Sequence, residues 1–388
     1  MTRIRTASFV SLAICLLLSR SATSQSIKRI PVEIPITNQI YLQARINNSE
    51  PMWFLLDTGA TWSILDVDKA KELGIRSEDK RTLDLGQINT VTTTFAKDAL
   101  LDISGVKIPV KTLAVMPVKL RHAPQIVGLI GSELFKRFVV KIDYLTKTIE
   151  LFEPKSYEYT GPGERLPMDI IGEIPHIKVN LSKGVSSLSA KVLVDTGASQ
   201  TLMLYAPFVE KHQLLETTEG TIKLKAGGLG GGSFDYKVRA KAVKLGNFSF
   251  DSPLINFSTG RGAADQRDGI LGNGFLNRFN LIIDYSRNQV ILEPMERFNS
   301  PTDFDFFLFT LTRSGRAYKI EDIFQPSMTS KAGVKIDDIL LAVDGKPVSD
   351  LPLIQVQRMF MMDGRDRVLS VRRGAETLEL TLKTFRIF

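Results

Sequence analysis

Two stretches decide how this chain reads: Phe54-Leu55-Leu56-Asp57-Thr58-Gly59-Ala60 and Val192-Leu193-Val194-Asp195-Thr196-Gly197-Ala198. In each, an apolar run of strand length drives one aspartate toward the protein interior. A lone carboxylate there is costly to ionise, so it needs partners or a chemical task. Thr58 and Thr196 each add a hydroxyl able to bond across to a neighbour, and Gly59 and Gly197 can turn sharply beside the acid. The agreement continues downstream. Val127-Gly128-Leu129-Ile130-Gly131 leads to Ile142-Asp143-Tyr144, and Asp268-Gly269-Ile270-Leu271-Gly272 leads to Ile283-Asp284-Tyr285. Asp195 follows Asp57 by 138 positions and Gly272 follows Gly131 by 141. One unit therefore occurs twice, with about three residues of net insertion in the second copy.

The first half carries strand-like Val32-Glu33-Ile34-Pro35-Ile36 and Tyr41-Leu42-Gln43-Ala44-Arg45-Ile46, then a turn at residues 47–50 before the Asp57 strand. Residues 66–74 read as a short helix with an acidic start and a glycine stop. Thr82-Leu83-Asp84-Leu85, a turn at 86–89 and Thr90-Val91-Thr92-Thr93-Thr94-Phe95 form a hairpin. The second half repeats the plan with strands before Asp195, a helix over 206–212 and a hairpin whose tip holds Gly227-Gly228-Leu229-Gly230-Gly231-Gly232. That glycine run lacks the spacing and the following Lys-Ser/Thr of a phosphate loop. A strand pair around Asp143 or Asp284 closes each half, with both acids in structural turns, and Gly131 and Gly272 read as packing positions behind the Asp strands.

Asp-Thr-Gly-Ala on a strand, followed about 75 residues later by two apolar residues and a glycine that opens a helix, resembles an aspartic protease lobe. The compact halves with alanine after the glycine are similar to the retropepsin-like group more than to the larger pepsin lobes. The resemblance spans roughly residues 30–294. It implies a mainly β fold in which two retropepsin-like lobes form an intramolecular pseudo-dimer, with the hairpins folding over a peptide substrate as flaps.

Beyond the lobes, residues 298–302 read as a linker. Pro326-Ser327-Met328-Thr329-Ser330-Lys331-Ala332-Gly333, Asp337-Asp338-Ile339-Leu340 and Asp344-Gly345 resemble, in order, the core of a PDZ domain. The resemblance implies a small α+β domain over 303–388, with a groove helix over 353–362, closing strands over 368–382 and an extended peptide as ligand. The loop that should offer glycine amides to a terminal carboxylate, Asp305-Phe306-Phe307-Leu308-Phe309, has no glycine.

Residues 1–24 read as an export signal: Arg3 and Arg5, an apolar run from Phe9 to Leu18, then small residues. The run is too short to span a bilayer as a helix, and cleavage near Ser24 leaves no stable membrane span. The single cysteine, Cys15, lies inside it, so the exported protein has neither disulfide nor thiol chemistry. The resulting division is a signal peptide at 1–24, lobes at 26–155 and 157–297, and the PDZ-like domain at 303–388. The net charge of +8 falls to +5 without Arg3, Arg5 and Arg20, and no dense basic block suggests nucleic acid. His122, His176 and His212 show no metal-ligand spacing, and no Gly-x-Ser-x-Gly elbow is present.

The expected chemistry needs no cofactor and no metal. Asp57 and Asp195, brought together, share one proton and activate water against a peptide bond. Thr58, Gly59, Thr196 and Gly197 support the pair. The expectation is an exported aspartic endopeptidase, periplasmic or secreted, that acts on polypeptides as a monomer rather than a homodimer. Two alternatives use the same residues: halves that pair between two chains, and an inactive peptide-binding scaffold.

Overall fold

The computed structural model describes residues 25–35, 37–84, 90–120, 123, 125–183, 186–216, 221–225, 234–260, 267–299, 309–323, 331–360 and 365–383. The fold is mainly β, with two repeated lobes. The first lobe is a seven-stranded sheet among the described residues, in the order Tyr41–Ile46, Met52–Leu56, Ile126–Ile130, Ile64–Asp66, Val106–Met116, Thr90–Ile103 and Glu78–Asp84. The Asp57 strand, Met52–Leu56, runs parallel to Ile126–Ile130, which places Asp57 beside Gly131. The second lobe repeats this: Ser186–Val194 runs parallel to Gly269–Leu271, and Asp195 lies beside Gly272. Neighbouring backbone excludes any side chain at both glycines, since a Cβ on Gly131 would stand 2.6 Å from the Trp62 carbonyl and one on Gly272 would strike that of Gln200.

The short helices follow their sequence signals. Asp66 caps Val67–Glu72 by accepting from the amides of Asp68 at 3.0 Å and Lys69 at 3.4 Å, and Gly74 takes a φ of 65° after its end. Ala206–Lys211 is the matching helix of the second lobe. The first hairpin pairs Asp84 with Thr90 and Leu83 with Val91, and the second pairs Lys225 with Phe234. The tips expected at 86–89 and 227–232 lie outside the described residues, as do His122 and the export signal.

Two expectations need correction. Of the strand expected over 32–36, residue 36 lies outside the described residues and 32–35 form no strand: Lys28–Pro31 does, against Thr148–Phe152, and among 32–35 only Glu33 bridges Tyr41. Pro31 and Pro35 lack the amide hydrogens a ladder needs, which breaks pairing at that point. Phe298 is not the start of a linker. Its ring packs 5.2 Å from Phe250, 5.5 Å from Phe248 and 5.6 Å from Phe279, closing the second lobe's core.

The closing strand pairs do more than finish each lobe. Val139–Asp143 and Phe279–Asp284 pair with one another, Ile142 opposite Leu281 and Val140 opposite Ile283. A six-stranded sheet thereby joins the two lobes, with both chain crossings secured by one apolar core that includes Val140, Ile142, Leu281 and Ile283. Asp143 and Asp284 serve its turns. Asp143 accepts from the amides of Leu145 and Thr146, both at 2.9 Å, and fully buried Asp284 accepts from Ser286, Arg287 and Gln289.

Residues 309–382 include a separate sheet with its own core around Tyr318, Ile320, Leu340, Val356, Leu369 and Val371. Helix Leu353–Arg358 covers it, and Arg367–Arg373 pairs with Glu376–Leu382. Asp344 and Gly345 form its tight turn at φ 49° and 74°, joining Val343 to Lys346. Of the expected carboxylate loop, only Phe309 is described. Among the described residues no helix is long and apolar enough to cross a membrane.

Candidate active site

Asp57 and Asp195 each follow the last residue of a central strand and meet at the junction of the lobes. Gly59 shows how close they come: a Cβ placed on it would lie 3.1 Å from Asp195 Oδ2 and 3.1 Å from Asp57 Oδ1. A Cβ on Gly197 would stand 2.6 Å from Asp57 Cγ. A side chain at Gly197 would occupy the space of the opposing carboxyl, and one at Gly59 would press against it.

The threonines weave the two loops together. Thr58 Oγ1 donates to the Val194 carbonyl at 2.5 Å and accepts from the Thr196 amide at 3.0 Å. Thr196 Oγ1 donates to the Leu56 carbonyl at 2.8 Å and accepts from the Thr58 amide at 3.1 Å. Both threonines have no exposed surface. Buried, reciprocal bonds of this kind are strong positional restraints, because breaking one leaves partners unsatisfied on both sides.

Each acid accepts from the amide two residues ahead, Gly59 onto Asp57 Oδ1 and Gly197 onto Asp195 Oδ1, both at 2.8 Å. Desolvation pushes both carboxyls above the usual carboxylate range. Asp57 is pushed well above it, its rise reinforced by the charge of Asp195. The Gly197 amide and then the Arg267 guanidinium hold the rise of Asp195 back. With both carboxyls raised and interacting with each other, ionising the two together is costly.

Every residue singled out in the sequence, Asp57, Thr58, Gly59, Asp195, Thr196 and Gly197, is thus gathered at one place. Sequence reading missed the groups that tie this place to its surroundings. Asn273 Nδ2 donates to the Thr196 carbonyl at 2.6 Å, while its Oδ1 accepts from Tyr144 of the other lobe at 2.7 Å. In the first lobe, Glu133 Oε2 accepts from the Ser63 amide at 3.0 Å and hydroxyl at 2.7 Å, and the Gly131 amide donates to Ser63 Oγ. Polar residues directly after each helix-opening glycine were the available signal. Gln39, Tyr41 and Arg267 carried none.

Comparison with known proteins agrees with this geometry. The family described as aspartyl protease matches residues 42–134 and again 178–275, one segment per lobe and each containing an Asp-Thr-Gly. No curated protein matches the chain. Among solved structures, the aspartic proteinase from Irpex lacteus aligns over 71% of this chain and 99% of its own, at 16% identity and a TM-score of 0.45. That likeness is too loose to carry an inference. The doubled family match over a doubled acid motif makes this chain an aspartic-type peptidase.

Proposed function

We propose that the chain is an endopeptidase in which Asp57 and Asp195 form one intramolecular dyad. The observation that carries this reading is that both acids, raised by burial, lie within hydrogen-bonding reach inside a single chain braced by Thr58 and Thr196. The ionised member takes a proton from a bound water, and the water oxygen bonds to the peptide carbonyl carbon. The protonated member donates to the carbonyl oxygen. Collapse of the resulting gem-diol breaks the C–N bond: the leaving nitrogen takes the proton that the first acid gained from water, the second acid recovers a proton from one diol hydroxyl as its C=O forms, and the dyad again holds one proton. No acyl-enzyme forms.

The substrate is a polypeptide that lies between the lobes under the paired hairpins. Export through residues 1–24 places the enzyme in a periplasm or outside the cell. Residues 303–388 act as a PDZ-like domain that docks a peptide or regulates the lobes. The Asp344-Gly345 turn and the helix over the small sheet support that likeness.

Cleavage of casein from pH 3 to 8 by the wild type, Asp57→Asn and Asp195→Asn, with the mass measured by size exclusion, tests the dyad. Either substitution should lower cleavage by a monomer about 10³-fold or more. Half-activity in each variant of a dimer would instead mean separate sites formed between chains. A folded wild type that cleaves nothing would make the lobes a binding scaffold.

A further inference from the structure

One contact treats the two acid loops differently. Gln39 Nε2, in the first lobe, donates to the Gly197 carbonyl at 2.6 Å across 158 residues of sequence. The same amide is held from behind, because the Tyr41 hydroxyl donates to Gln39 Oε1 at 3.0 Å. Tyr41 is itself fixed: it is 4% exposed, pairs with Leu55 on the Asp57 strand, and follows Ile40, whose carbonyl accepts from the Leu56 amide. A carbonyl on one side and a hydroxyl on the other leave a single useful orientation for the amide.

The repeat shows that this is not a symmetric feature. Leu193 is the second-lobe counterpart of Leu55, and it pairs with His176 where Leu55 pairs with Tyr41. Two residues earlier, Ile174 stands in the place of Gln39, and its side chain has no donor. Ile174 therefore offers Gly59 no such tie. The tied residue is also the one with most need of it. Gly197 has the widest backbone freedom in the Asp195 loop, and its own amide supplies the 2.8 Å bond onto Asp195 Oδ1.

We propose that Gln39, oriented by Tyr41, is a positioning residue that anchors Gly197 from the opposite lobe and so holds the Asp195 carboxyl in its reacting orientation. The inference rests on the reading of Asp195 as one member of the reacting pair. It gives the Asp195 loop a tie that comes from outside both Asp-Thr-Gly motifs. Releasing the anchor frees the Gly197 backbone to rotate, weakens its amide's bond to Asp195 and misaims the acid without touching substrate.

Gln39→Glu tests this with a side chain of the same size. An ionised carboxyl has no hydrogen to offer the Gly197 carbonyl, whereas a protonated one does. Relative to wild type at each pH, kcat should be down about tenfold near pH 6.5 and recover to within about threefold near pH 3, below the ordinary glutamate range. KM should change less than about twofold. Tyr41→Phe should give a smaller, pH-independent loss in kcat. A ratio that stays flat with pH, a loss confined to KM, or a loss that follows the melting temperature measured at the same pH would overturn the proposal.

A readout free of turnover separates this from the dyad itself. In Gln39→Leu, 13C-labelled aspartate should show Asp195 titrating at higher pH than in wild type, because its amide partner is loosened. An unchanged Asp195 titration in a folded variant sinks the positioning role even if the wild type cleaves nothing. Loss of cleavage in the wild type alone sinks only the dyad.

Discussion

The two lobes can be compared row by row, and they part company a short distance from the acids. In the first lobe, direct cross-strand neighbours run Leu55, Leu129, Ile64, Ala114, Phe95. The matching row of the second lobe runs Leu193, Ile270, Met203, Asn256, Lys237. The inner three positions are apolar in both. The outer two are alanine and phenylalanine in one lobe, with Phe95 set edge-on to Trp62 at 5.2 Å, and asparagine and lysine in the other. Asp235 and Ser258 extend the polar end, and Asn256 Nδ2 donates to Asp235 Oδ2 at 3.1 Å. Duplication thus preserves what two facing carboxyls demand and leaves the buried strands farther from them free to diverge.

The braces behind the acids diverge as well. Ser63 of the first lobe is held by Glu133. At the equivalent positions the second lobe has Thr201 and Gly274, and a Cβ on Gly274 would stand 2.7 Å from Thr201 Cγ2. The same space is filled by a carboxylate in one lobe and by a methyl against bare backbone in the other.

The sharpest way to break the comparison is at the two motif glycines. Gly197→Ala should cost activity at least about a hundredfold, since its Cβ would intrude on Asp57 Cγ at 2.6 Å and displace the acid. Gly59→Ala, with contacts at 3.0 to 3.1 Å, should cost clearly less. Steady-state kinetics on both variants decides the order, and equal losses would mean that the loops are mechanically equivalent.

The crossed threonines should behave as one device. Thr58→Val or Thr196→Val removes a donated bond and strands the amide that the hydroxyl served, for about 2–4 kcal/mol each. The double variant should fall well short of the sum, because each single change already disrupts the shared network. Urea denaturation of the three variants measures this. Full additivity would mean that the two hydroxyls act separately.

The braces come next. Gly274→Ala should destabilise by about 1–3 kcal/mol through overpacking against Thr201. Glu133→Gln keeps an acceptor for Ser63 and should cost under about 1 kcal/mol. Thermal unfolding of the pair gives the comparison directly, and a larger cost for Glu133→Gln would show that its charge matters.

The mildest effect concerns pH. Asp57 and Asp195 bind a proton more tightly when folded than when unfolded, so their contribution to stability is fully present below the unfolded value of 3.8. It is lost as pH rises through the raised folded range. Wild type should therefore lose stability between about pH 4 and neutrality relative to Asp57→Asn, in which the shared proton is gone. Melting curves over that interval suffice, and parallel slopes for the two proteins would contradict the shared proton.

How much could be read in advance depended on the range of the signal. The Asp-Thr-Gly pairs, the Asp66 cap, the Gly74 stop and the hairpin that joins Leu83 to Val91 are local, each decided within a few residues by periodicity, capping or turn chemistry. Phe298 misled because five residues of polar and proline-containing sequence follow it, while its ring answers to three phenylalanines distant in the chain. Proline punctuation in 31–35 similarly outweighed the apolar alternation that suggested a strand there.

By itself, the sequence determined that this protein is a duplicated β unit with one acid motif per copy, because duplication and strand patterning are written residue by residue. Only the tertiary structure decided that Ile142 pairs with Leu281, that Thr58 and Thr196 interlock, and that Gln39 reaches Gly197. Those contacts join segments more than a hundred residues apart. Their register is set by packing of the shared core, for which no neighbouring residue carries a signal.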